Sequence, residues 1–372
     1  MKKTSGFTLV ELMLAIAITL IAVSAAFLIF RDSTRANSNV KQSADMSDNL
    51  RAGLNLIDQD LIQTGTGIPI GGISIPNTVN ASGCNISKPV NRPPTVLNLT
   101  FQGPNSASAN CNVILPAIEP GDGLGPTVAS LDGTTGPATD VITILYADNT
   151  LSLVQKPING AGCPNGSIAA DGSSITFDIN CVTLGAAGIP VNTGDLLMIY
   201  NSNNSNGILQ TVTSVAGQTL NFAPGDAFNL NGRIATEAAG TILQLQNLTG
   251  GVPDGTYPPT SATRIWMITY FLDAATDPIH PRLMREVNFN TPQPVAESLE
   301  NLQFTYNLAD GTSPAPVNQA AVPAADNENQ IRSVNVYIGT RSATRRAGSN
   351  QYIRSNLTTQ VALRSMAYFN TY

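Results

Sequence analysis

The chain has 372 residues, a net charge of −6, one histidine and four cysteines. Hydrophobic residues make up 42%, enough for a sizeable core, but charged residues reach only 12%, about half the ~25% usual in soluble globular proteins. This composition suits an extracellular β-rich surface, argues against a general nucleic-acid binder, and leaves a Ser-His-Asp or Cys-His hydrolase only His280 to work with. His280 sits between Pro278 and Pro281 and reads as a turn histidine. No catalytic constellation is present, so neither an enzyme nor a cofactor is expected.

The N-terminus carries the strongest signal. Met1 to Gly6 is a polar leader with Lys2 and Lys3, and Phe7 to Phe30 then runs apolar with one charge, Glu11. As a helix this run is about 36 Å long, enough for a hydrocarbon layer of about 30 Å. Lys2 and Lys3 hold its start on the cytoplasmic side. A secretory signal cut near Val23-Ser24-Ala25 and a plain signal anchor both fit the length. Neither has a use for Glu11, which costs about 2.5–3.5 kcal/mol at the centre of a bilayer and less near its edge. Cleavage after Gly6 gives it one. The freed α-amine of Phe7 in an adjacent subunit could pair with the carboxylate.

Gly6-Phe7-Thr8-Leu9-Val10-Glu11 resembles the signal of type IV pilins and pseudopilins. The resemblance implies cutting between Gly6 and Phe7 by prepilin peptidase and N-methylation of Phe7. It also implies that Glu11 pairs with a neighbour's N-terminus during filament assembly.

No proline occurs before Pro69, and Gly53 is the only glycine between Phe7 and Thr64. Leu50, Leu54, Ile57 and Leu61 fall on one helical stripe, with Arg51, Asp58 and Asp60 read as off it. Gly65-Thr66-Gly67-Ile68-Pro69 ends the pattern. The expected helix therefore runs from Phe7 to Thr64, about 87 Å. Its first half lies in the membrane and its second half lays the leucine stripe against a sheet. Major pilins typically carry a helix-breaking proline where this chain has Leu28, which points to a minor subunit.

From Gly65 onward the chain reads as β. Expected strands are Val96–Phe101, Val141–Tyr146, Ile175–Ile179, Leu196–Tyr200, Ile208–Val215, Thr219–Phe222, Ile242–Leu245, Ile265–Leu272, Leu283–Phe289, Leu302–Tyr306, Val334–Ile338 and Thr359–Leu363. Gly194–Tyr200 and Leu209–Val215 read as a hairpin. Val295–Asn301 suggests a short helical turn. Cys84 with Cys111, and Cys163 with Cys181, form two local pairs without CxxC spacing, so zinc is not expected. In an oxidising compartment two sequential disulfides would staple the head, though four cysteines allow other pairings.

Leu56–Leu61, Ile268–Leu272, Leu283–Glu286, Val295–Tyr306 and Ile331–Ile338 occur in an order similar to the PilW family of minor pilins. The resemblance implies an α+β protein in which a long N-terminal transmembrane and amphipathic helix packs on a β-rich, disulfide-stapled head. Its expected divisions are a leader at 1–6, the helix at 7–64 with 7–30 in the membrane, an inserted β-rich region at 65–260, and a C-terminal sheet at 261–372. Implied partners are prepilin peptidase, the inner membrane before assembly, other minor pilins and the major pilin. The head would face the periplasm before assembly and the cell surface afterwards. The J-type pseudopilins of type II secretion share the leader but are usually much shorter.

Arg332, Arg341, Arg345, Arg346, Arg354 and Arg364 crowd the last stretch, which holds no acid. A solvated face, a partner interface and a DNA contact are the available readings. Nucleic acid is disfavoured because only Tyr352, Tyr368 and Phe369 are interleaved. Arg341, Arg345 and Arg346 are expected to share a loop, with Arg332 and Arg364 on the surface. Asp122, Asp132 and Asp140 could hold Ca²⁺, but they lack an EF-hand pattern and read better as turn residues. A tip adhesin or DNA-binding subunit is the alternative to a priming subunit.

Overall fold

The computed structural model describes residues 8–69, 71–76, 79–80, 83–84, 89–101, 114–129, 135–154, 167–177, 183–185, 188–201, 204–231, 241–258, 260–312, 314–324, 326–347, 349 and 351–366. Helix α1, Leu9–Gln63, is about 82 Å long. Thr8 caps its start and Thr64 its end, where the Thr64 N–H donates to Leu61 O. Gly65 then takes φ +81°, a left-handed conformation that costs glycine little. Its N–H donates to Leu145 O at 2.9 Å, tying the helix end to the sheet.

The main sheet has nine strands among the described residues. In chain order they are β1 Ile73–Ser74, β2 Ile114–Leu115, β3 Ile118–Glu119, β4 Ile142–Val154, β5 Leu196–Asn201, β6 Asn204–Thr211, β7 Thr260–Asp273, β8 Arg282–Val287 and β9 Gln293–Glu297. The path runs β9-β8-β7-β5-β6-β1-β2, with β4 pairing both β7 and β3. Strand β7 is the axis. Antiparallel β4 follows one edge from Ile142↔Tyr270 to Val154↔Ser261, while β5 and β8 share the other. The first arm of the expected hairpin forms as β5, paired with β6 and with Leu196 opposite Thr211, but the second arm, expected at Leu209–Val215, ends at Thr211, and Ser214–Ala216 pairs in a different sheet. The sheet thus combines strands from both sides of residue 260.

A second, antiparallel sheet contains β10 Leu299–Leu308, β11 Ile331–Arg345 and β12 Tyr352–Ala362. Helix α1 lies against β11, β12 and β9. Leu50, Leu54, Ile57 and Leu61 are all buried there, with Leu283, Leu302, Ile338 and Val361 in the same core. A small sheet formed by Ser167–Ile168, Ser174–Thr176, Thr219–Asn221 and Ser214–Ala216 builds a second core. Strand β5 serves both. Leu196 and Met198 enter the first core, and Leu197 and Ile199 the second. That is why Leu-Leu-Met-Ile is continuously apolar rather than alternating.

At Gly53 the helix and the sheet pack tightly. A Cβ there would meet Leu283 Cδ2 at 3.1 Å and Ala296 Cβ at 3.4 Å. Gly53→Leu should therefore cost about 1–3 kcal/mol through overpacking. Gly53→Ala should be near neutral, because about 1 kcal/mol of helix propensity offsets the squeeze. Urea titration of both variants in detergent checks the contrast, and equal midpoints would mean that the interface is not tight.

Three local expectations need correction. Val295–Asn301 is not a helical turn but the corner between β9 and β10. Ser298 at φ +60° resets the alternation, which imitates helical spacing. Ile242–Leu245 is a 3₁₀ turn rather than a strand, and its i,i+3 spacing buries Ile242 and Leu245 together. Val96–Phe101 splits into a 3₁₀ turn at Thr95–Leu97, a left-handed Asn98 and the two-residue strand Leu99–Thr100.

Candidate functional site

Among the described residues, none of the head packs over the apolar first half of α1. Leu9, Phe27 and Phe30 are 74%, 69% and 70% exposed, and Ile16, Ile18, Leu20, Ile21 and Ile29 are exposed as well. Its most apolar window has a mean hydropathy of 2.8 with none of it buried. From Met46 onward the same helix carries buried residues. One continuous element is therefore bare and apolar at one end and seated on the head at the other. A bare apolar face of this size requires lipid or other helices around it.

Glu11 stands near the start of the bare half. Its Oε2 accepts from Thr8 N at 3.0 Å and from Thr8 Oγ1 at 2.9 Å, and Glu11 N donates to Thr8 Oγ1 at 3.3 Å. This capping box satisfies donors that the first helical turn would otherwise leave open. It places the carboxylate at the positive end of the helix dipole. Gly6 and Phe7, the expected cleavage and methylation residues, lie outside the described residues. So do Cys111, Cys163 and Cys181. Cys84 lies in the short strand Gly83–Cys84 opposite Val79, with its side chain outside the description.

The seat of the helix holds a polar cluster that periodicity reading placed off the stripe. Asp60 is 4% exposed and lies on the buried face beside Ile57 and Leu61. Its Oδ2 accepts from Arg285 Nε at 2.7 Å and from the Tyr270 hydroxyl at 2.5 Å, while Arg285 Nη2 reaches Oδ1 at 3.2 Å. Burial, and then the charge of Asp60, holds the Tyr270 hydroxyl far above its usual range, so it remains a donor. The helix is thus locked to β7 and β8 by a forked, charge-assisted contact. The signal was present in the sequence, because Asp60 follows Gly53 by two helical turns and falls on the stripe.

The arginine-rich end is also rearranged. Arg341 is not in a loop. It is fully buried in β11, with Nη1 on Glu300 Oε1 at 3.2 Å and Nη2 on the carbonyl of Ile279 at 2.6 Å. Arg354 Nε meets the other oxygen of Glu300 at 2.8 Å. The Pro278-Ile279 turn that holds Arg341 is itself folded around Asp277, which accepts from the Ile279 and His280 N–H groups. His280 therefore belongs to a structural turn. Asp140 likewise acts as a structural acceptor for the N–H groups of Gly123 and Phe304. Asp132 lies outside the described residues, and no group of three metal-ligating side chains occurs among those described.

A buried polar row crosses the main sheet. Glu119, Thr143, Thr269 and Glu286 stand opposite one another on β3, β4, β7 and β8. The Thr143 and Thr269 hydroxyls are 2.9 Å apart, and Arg92 Nε donates to Thr143 Oγ1. Burial pushes both Glu119 and Glu286 up to about 7, although Arg92 draws Glu119 partly back. The folded state thus holds protons that the unfolded chain releases near the ordinary value of 4.5. Stability should fall as pH rises from about 4.5 through 7. Glu286→Gln is expected to remove part of this slope and gain about 1–3 kcal/mol at pH 8, with no gain at pH 4.5. Thermal melts at the two pH values check this, and an equal shift at both would contradict it.

Residues 1–27 match the family model of the prokaryotic N-terminal methylation motif. That match and the bare apolar helix support a type IV pilin-like protein of the kind processed by prepilin peptidase and assembled with other pilins. Neither the search of curated proteins nor the search of solved structures returned a match.

Proposed function

We propose that this chain is a minor pilin, similar to the PilW family, that helps prime a type IV pilus or complete its tip. The leader is cut between Gly6 and Phe7, and the new N-terminus of Phe7 is methylated. Before assembly the apolar half of α1 anchors the subunit in the inner membrane with its head in the periplasm. During assembly that half moves from lipid into the filament core, an exchange of one apolar environment for another. Glu11 sets the register by pairing with the N-terminal amine of a neighbour. The head does no chemistry. It presents a surface to other minor pilins and the major pilin.

The observation that carries this reading is the continuity of α1. The same rigid element is bare from Leu9 to Phe30 and locked to the head from Met46 to Leu61. Pulling on one end therefore moves the other. The test is deletion of the gene in cells whose pili cannot retract, with sheared surface filaments quantified. A large loss, restored by the wild-type gene, supports a priming role. Unchanged pili with impaired protein export would instead indicate a secretion pseudopilin.

A further inference from the structure

Hairpin β11–β12 runs alongside α1 in a fixed order. Thr66, just past the helix end, meets Ser365, just past the end of β12, Gly53 faces Ile338, and Gln42 and Asn39 bond Thr344 and the Ala347 N–H at the hairpin tip. Among the described residues, the tip thus makes the hydrogen bonds to α1 that lie nearest its bare half. Asn39 lies nine residues beyond Phe30, about 14 Å along the axis. The polar layer of a bilayer occupies the first several ångströms of that distance.

This end of the molecule is basic. The tip exposes Arg345 and Arg346, and the helix below it carries Arg31, Arg35 and Lys41. Asp32 sits among them, 3.3 Å from Arg31 and 3.8 Å from Arg35. The next acid along the helix is Asp45, so bases outnumber acids throughout the collar. Cations on the outward flank run against the usual positive-inside bias, and removal of the leader takes away Lys2 and Lys3, leaving the outward flank the more basic one.

We propose that this collar binds anionic lipid headgroups of the outward leaflet and holds the head against the membrane until the subunit is extracted. The proposal rests on the membrane-anchored reading above. Its chemistry is that of a polybasic juxtamembrane segment, whose attraction fades within a Debye length, about 8 Å at physiological salt. Arginine suits the role because its fork matches phosphate oxygens. Extraction lifts the collar beyond that range, so the contact breaks without a separate trigger.

The test uses the full-length protein in nanodiscs of phosphatidylcholine alone or with phosphatidylglycerol, read by amide hydrogen exchange. Exchange across Ser342–Tyr352 should be roughly threefold or more slower in the anionic discs. The difference should vanish in Arg345→Ser/Arg346→Ser and at 1 M salt, where the Debye length falls to about 3 Å. Equal exchange in both lipids would overturn the proposal. So would protection that depends on the number of copies per disc and not on lipid charge, since that marks a protein partner. Exchange at Leu9–Phe30 separates the two readings. If it is slow in both lipids while the tip is indifferent, only the collar fails. Fast exchange there would mean that the helix is not in the membrane at all.

Discussion

Asp60→Ala should destabilise the head by about 3–5 kcal/mol, the usual cost of removing one partner of a buried ion pair. Asp60 Oδ2 is the common acceptor for Arg285 and Tyr270. Without it, a guanidinium and a phenol are left facing a buried gap between helix and sheet. The loss should fall on the helix seat in particular, with faster hydrogen exchange over Met46–Leu61 than over the small outer sheet. Asp60→Asn keeps acceptor and shape but not charge, and should cost less. A double-mutant cycle with Arg285→Leu should recover part of the loss, because no charge is then left buried. Strict additivity of Asp60→Ala and Arg285→Leu would show that the pair is not coupled. If so, the helix would be held by its apolar stripe alone.

Glu11→Val should leave cleavage and membrane insertion intact and abolish incorporation into filaments. The carboxylate has a local partner in Thr8, so the monomer tolerates it, but a capping box is worth only about 1 kcal/mol. Valine removes the cost of placing a charge near lipid, and more protein should remain in the membrane fraction. What it removes is the partner for a neighbour's amine. Glu11→Gln separates the two roles, since its amide oxygen still accepts from Thr8 while the charge is gone. Incorporation by the Gln variant at wild-type level, measured in sheared filaments, would mean that capping rather than ion pairing is what assembly needs.

Both predictions concern one helix, and its two halves were unequally legible. The apolar run, Glu11 and the Leu50-Leu54-Ile57-Leu61 stripe follow from spacing alone, because a helix repeats locally. Asp60 also lay on that spacing, but its partners are more than 200 residues away. Long-range pairing of this kind leaves no local mark. Arg341 shows the same limit. A run of arginines without acids looks like a charged surface, yet Glu300 and the carbonyl of Ile279 come from elements that only the fold brings beside it. Strand positions such as Leu196–Tyr200 were visible as apolar runs. Their order was not, since β7 takes three neighbours from both sides of the chain. The Ser298 corner was missed because one left-handed residue makes two strands look like a turn of helix.

The most direct test of the whole account is the N-terminus of the chain recovered from sheared surface filaments, read by mass spectrometry. The expected result is a peptide beginning at Phe7 and carrying one methyl group on its amine. In Glu11→Val this species should be present in the membrane but missing from filaments. A chain that begins at Met1, or one cut near Ala25 and absent from filaments altogether, would contradict it.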